Sequence, residues 1–85
     1  MSEVIEIVRS SLLQTLQIEP GRIGIDPEFR LLGAVPEFDS MAVLAVLTDL
    51  EDRLDIEFDD DEISADIFES LGTLTEFVRL KISDQ

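Results

Sequence analysis

One stretch of the chain, Ile18 to Phe38, holds all three prolines and three of the four glycines. Proline removes a helical donor and glycine loosens the backbone, so no long helix crosses these residues. The periodic segments on either side must therefore be separate elements joined by a long connection. Such a connection in a compact domain is ordinarily functional or disordered. Ile23, Ile25, Phe29, Leu31 and Leu32 are too apolar for a floating linker, and they predict an ordered loop pinned to the core. Within it "DPEFRLLG" offers Asp26 as N-cap, Pro27 at the first helical position and Gly33 as a stop, which predicts one or two helical turns.

From Glu3 to Gln17 the polar residues Glu3, Glu6, Ser10, Gln14 and Gln17 recur at spacings of three and four. Ile5, Val8, Leu12 and Leu16 are left on the opposite face, the pattern of an amphipathic helix with Ser2 as a candidate N-cap. A second helix opens at "FDSM", with Asp39 as N-cap and Phe38 and Val43 as a hydrophobic staple. Val43, Val46, Leu47, Leu50 and Leu54 share one of its faces, and it fades near Asp55. "DIEFDDDE" then reads as a charged loop with Ile56 and Phe58 turned inward, and "ISADIFES" as a short third helix opened by Ser64. In "SLGTLTEFVRLKI", Leu71, Leu74, Phe77 and Val78 form a stripe on a last helix started either by Ser70 or by a Thr73 to Glu76 capping box. The predicted fold is all-α, a small antiparallel four-helix bundle of three long helices and one short, with a long ordered loop between helices 1 and 2. Residues 1–85 are expected to form a single domain.

A chain of 85 residues buries only about 60 to 65% of the surface its unfolded form exposes, so a deep enzyme cleft is not expected. Histidine, cysteine, tyrosine and tryptophan are absent, which removes the commonest general base and the thiol nucleophile and points away from catalysis. The acidic run Asp59 to Glu62 fails as a calcium loop. Opened at Asp55, an EF-hand would need glycine where Asp60 stands and glutamate where Asp66 stands. A formal charge of −14 repels phosphate backbones and anionic lipid and attracts basic protein surfaces. The expected partners are therefore basic proteins, with no nucleic acid and no membrane insertion. The start "MSEVIEIVRSS" lacks the features of a secretory signal, and the longest apolar run, Met41 to Leu47, is too short to span a bilayer. The reading is a cytoplasmic monomer without metal.

Asp39 and Ser40 stand where capping alone explains them. Their surroundings add to that. "LLGAVPEFDSMAVLAVLTDLEDRLDIEF" and "DDEISADIFESLGTLTEFV" together resemble an acyl carrier protein, from about Glu3 to Ile82, with "DSM" in place of the family's Asp-Ser-Leu. The resemblance implies that Ser40 carries covalent 4′-phosphopantetheine, added from coenzyme A by a phosphopantetheinyl transferase, and that Asp39 is the acid of the attachment motif. It implies a non-catalytic carrier that presents acyl thioesters to acyl-loading and acyl-transfer enzymes with basic docking surfaces, in a fatty-acid, lipid or polyketide-type pathway. A phosphodiester at a helix start meets free N–H groups and the positive end of the dipole, which offsets the neighbouring acids. An acyl chain could slip between helices lined by Val43, Leu47, Ile63 and Leu71, gaining about 0.8 kcal/mol per buried CH₂.

The chain departs from the family pattern in two places. "VPEF" separates "LLGA" from "DS", which lengthens the loop, and Ala42 and Ala45 stand where helix 2 usually carries acids. Met41, Leu44, Ala45 and Thr48 then form an apolar strip, either an exposed docking face or a side covered by the long loop. The expected partner-binding residues are Met41, Leu44, Glu51 and Asp52, helped by the loop Asp59 to Glu62. "PEFDSMAV" resembles carriers found with bacterial exopolysaccharide and exosortase systems, a specialised pathway-dedicated type. Two other readings remain at this point, a peptidyl or aminoacyl carrier and an acidic protein-interaction module without a prosthetic group.

Overall fold

The computed structural model describes residues 2–33, 35 and 38–83, with the side chains of Ser2, Ser40 and Asp60 outside that description. The first amphipathic segment is α1, Ser2–Leu16, which turns Ile5, Val8 and Leu12 into the core. It packs against both α2, Ser40–Leu54, and α3, Leu71–Ser83. Val46, Leu47 and Leu50 from α2 and Leu71, Leu74 and Val78 from α3 meet it there, as their spacing predicts. The first two helices stop in the same way, on a non-glycine residue in the left-handed region. Gln17 has φ 56° and Asp55 has φ 56°. In each case the next N–H closes back five residues, Ile18 onto Leu13 O at 3.2 Å and Ile56 onto Glu51 O at 3.1 Å.

The long connection is ordered by backbone pairing and, from α1, by the Arg9 side chain. Arg9 donates from Nε to Ile23 O and from a terminal nitrogen to Pro20 O, both at 2.7 Å. This ties the 3-10 turn Pro20–Arg22 to α1. Ile23 and Leu31 are fully buried and Phe29 packs on the core, whereas Ile25 and Leu32 face solvent, against expectation.

The helical turns expected from "DPEFRLLG" do not form. Asp26 caps only a single turn, its Oδ1 accepting from Glu28 N–H at 2.9 Å and its carbonyl from Phe29 N–H at 3.0 Å. After that the chain extends, because residues 68–72 offer it better partners. Leu31 N–H reaches Glu69 O at 2.9 Å and Leu32 N–H reaches Phe68 O at 3.1 Å, around an antiparallel bridge between Arg30 and Ser70. In return Leu71 N–H donates to Phe29 O at 2.8 Å and Gly72 N–H to Pro27 O at 2.7 Å. Those two donors belong to the first turn of α3, where a helix has no carbonyls of its own to offer.

The same pairing limits the expected third helix. Ala65–Phe68 is a four-residue 3-10 turn, with Ser64 in the cap position but no side-chain cap bond. The carbonyls of Phe68 and Glu69 already accept from the long loop, so the turn does not extend into an α-helix. Among the described residues the elements are thus three α-helices joined by 3-10 turns, the last of these at Asp60–Glu62 and Ala65–Phe68, with no strand. Of the two starts proposed for α3, Ser70 is the one used. Thr73 N–H donates to Ser70 Oγ at 3.2 Å and Ser70 N–H to Thr73 Oγ1 at 3.0 Å. Two ring pairs close the core, Phe38 edge-on to Phe68 at 5.8 Å and Phe58 stacked on Phe77 at 5.2 Å. Ile56 and Phe58 are buried as predicted.

Candidate functional site

Asp39 is the N-cap of α2. Its backbone is extended at φ −104° and ψ −173°, and its Oδ1 accepts from Ala42 N–H at 2.9 Å. Its carbonyl takes Val43 N–H at 2.9 Å, so one residue sets both the direction and the first turn of the helix. Ser40 is therefore the first residue of α2, at the positive end of the helix dipole. Phe38, just before the cap, is buried, and Val43 packs on the core, which places the staple pair where the sequence predicts it. No group of three or more metal-ligating side chains occurs among the described residues.

An apolar cleft of about 450 Å³ opens one turn along from Ser40. Val43 and Leu44 from α2, Leu32 from the long loop, and Ile63, Ala65 and Phe68 from the segment before α3 line it, with Ser64 as its polar residue. Positions three and four beyond Ser40 share its side of the helix. Of the four lining residues expected from sequence, Val43 and Ile63 are on this cleft, while Leu47 and Leu71 belong to the buried core. Leu32, Ala65 and Phe68 had no signal for this role. They come together through the pairing of the loop with residues 68 and 69, which no local pattern announces.

The apolar strip is solvent-facing, and the loop does not cover it. Met41 is 77% exposed and Leu44 59%, and Ala45 and Thr48 are exposed as well. Asp52 is exposed, but Glu51 is half-buried and its Oε2 accepts from Phe58 N–H at 2.8 Å, holding the start of the acidic loop.

Behind that face, Asp49 joins α1 to α2. The buried Ser11 hydroxyl donates to Asp49 Oδ2 at 2.6 Å, and Arg53 Nε donates to the same oxygen at 2.6 Å while its other end reaches Gln14 Oε1 at 2.5 Å. Burial pushes the Asp49 carboxyl up, but the bonds from Ser11 and Arg53 and the Arg53 charge outweigh it, leaving the group below the ordinary aspartate value. Beyond the loop, Lys81 bridges to Glu62 at 2.5 Å, and this bond, with one from the Asp59 backbone, lowers the Glu62 carboxyl. No helix among the described residues is long and apolar enough to cross a membrane.

Residues 6–80 match the family described as the phosphopantetheine attachment site. The chain is also similar to the solution NMR structure of a holo acyl carrier protein from Nitrosomonas europaea. The two are 44% identical over 93% of this chain and 95% of that one, with a TM-score of 0.82. No curated protein matches it.

Proposed function

The chain belongs to the acyl carrier proteins, within the phosphopantetheine attachment family, and from that premise we propose that Ser40 is the residue bearing the 4′-phosphopantetheine. The observation that carries this reading is positional. Ser40 opens α2 directly after its Asp39 cap, and the next turn of the same helix lines an apolar cleft. The arm supplies the thiol that the chain lacks and carries cargo on it as a thioester. Asp39 fixes the helix start, whose N–H groups and dipole favour the phosphodiester, and the cleft takes up the apolar part of the cargo.

The whole chain, 1–85, acts as one carrier domain. Its architecture reads as an antiparallel four-helix bundle in which the turn Ala65–Phe68 stands for the short helix. A phosphopantetheinyl transferase modifies it, and acyl-loading and acyl-transfer enzymes with basic docking surfaces meet the face bearing Met41, Leu44, Glu51 and Asp52. It works as a cytoplasmic monomer in a dedicated lipid, fatty-acid or polyketide-type pathway. A cleft lined by six apolar side chains and one serine favours an acyl chain over an aminoacyl group.

The test is to load the chain, through the transferase, from octanoyl-coenzyme A and in parallel from alanyl-coenzyme A, and to compare amide shifts. Octanoyl loading is expected to move the resonances of Val43, Leu44, Ile63, Ala65 and Phe68, with alanyl loading leaving them near the unloaded positions. Equal shifts with both cargoes would remove the acyl assignment, and no loading from either would remove the carrier.

A further inference from the structure

We propose that Lys81, acting through Glu62, is a positioning residue that holds one wall of the apolar cleft in place, so that an ion pair outside the cleft sets how well this carrier shelters its cargo. This rests on the carrier reading above and deepens it. The wall is the segment Ile63, Ser64 and Ala65, which lines the cleft opposite Val43 and Leu44. It belongs to a stretch that repels itself. From Asp55 to Glu69 the chain carries eight acids and no base, and like charges so crowded push the segment outward toward water.

Two anchors oppose that push, one on each side of the wall. On the far side Phe68 O accepts from Leu32 N–H at 3.1 Å and Ile67 O from Thr73 Oγ1 at 2.8 Å, bonds that involve no charge. On the near side the anchor is electrostatic. Glu62, directly before Ile63, closes the turn Asp60–Glu62 by accepting Asp59 N–H at 3.1 Å on Oε2. Lys81 Nζ donates to that same oxygen at 2.5 Å. Standing in the last turn of α3, Lys81 would suit the helix dipole by position alone. Its side chain is only 11% exposed, however, and it lies along a groove that also holds Phe77, Leu80 and Glu62. With its stem packed and its ammonium on Glu62, Lys81 ties the acidic segment to α3, beside the stacked rings of Phe58 and Phe77.

Without that charge the turn would be left to its own repulsion, and the wall at Ile63 would loosen from the cargo. Salt screens repulsion between exposed acids, so it should restore what the variant loses. The experiment uses the full chain carrying either the free arm or an octanoyl arm, at low and at high sodium chloride. It reads the rise in Tm that the octanoyl group causes and the half-life of its thioester in dilute neutral hydroxylamine. Lys81→Gln is expected to shrink the rise and shorten the half-life severalfold at low salt, and to converge on the native chain at high salt. Lys81→Arg is expected to behave as native. Glu62→Gln keeps an acceptor for Asp59 N–H but loses the ion pair, and it should repeat the Lys81→Gln pattern if that variant fails to fold by circular dichroism. A Lys81→Gln chain that melts lower with either arm, yet keeps the native octanoyl rise and half-life, would make Lys81 a support of the fold alone and overturn the proposal. So would a loss that salt does not restore. Both results leave the carrier reading standing, whereas a native chain that takes up no arm from coenzyme A would remove that reading itself.

Discussion

Replacing Gly72 by alanine sets two effects of opposite sign against each other. Gly72 is the second residue of α3, where helix propensity alone favours alanine by about 1 kcal/mol. The fold argues the other way. A Cβ there would lie 2.7 Å from Pro27 O and 3.2 Å from Pro27 C, both backbone atoms that cannot swing aside. The loop must therefore move, and the bonds from Gly72 N–H to Pro27 O and from Leu71 N–H to Phe29 O stretch with it. Overpacking costs about 1 to 3 kcal/mol and the two stretched bonds together about 1 kcal/mol, which outweighs the propensity gain and leaves a net loss of about 1 to 3 kcal/mol. For a domain of this size that corresponds to a fall in Tm of roughly 5 to 20 °C. Denaturant unfolding measures it, and hydrogen exchange at Leu71 and Gly72 should rise in step. A Gly72→Ala chain as stable as the native one, or more stable, would show that the contact between the loop and α3 is not what holds the connection.

Thr75 is buried and its hydroxyl has no partner among the described residues, so Thr75→Val is expected to raise stability by about 1 kcal/mol in a urea melt, and a loss would mean that the hydroxyl is satisfied in solution. Gln17 holds a left-handed backbone at the end of α1, and Gln17→Gly should stabilise by about 0.5 to 1 kcal/mol by relieving it, measured the same way, with destabilisation counting against the strain. Asp49 is held below its ordinary value of 3.8, so its contribution is complete above that value and is lost as pH falls through the lower folded one. The stability gap between the native chain and Asp49→Asn should then be constant from pH 7 to 5 and narrow only below about pH 4. A gap that grows on acidification would contradict the sign.

Helical periodicity was enough to place α1, α2 and α3 because each buries one stripe, and the residues at those positions, such as Val8, Leu12, Leu50 and Val78, are the core. Local capping chemistry was legible for the same reason, with Asp39 and Ser70 each acting within three residues of itself. The connection was legible only as ordered. Its pairing with residues 68–72 is non-local, so nothing near "DPEFRLLG" indicated that the chain would extend there, or that Phe68 and Glu69 would lose their carbonyls to it. The cleft followed the same division. Val43 and Ile63 were expected there from the family resemblance, but Leu32 and Phe68 become neighbours through that pairing. The bond from Phe58 N–H to Glu51 Oε2 also depends on a loop closure that composition does not encode.

The central claim is that Ser40 bears the arm, and tandem mass spectrometry of the chain after incubation with coenzyme A, magnesium and a phosphopantetheinyl transferase tests it most directly. The account predicts a single added phosphopantetheine whose fragment ions place it on Ser40, with no addition to a Ser40→Ala chain. An arm mapped to another residue, or a Ser40→Ala chain modified as readily as the native one, would contradict it.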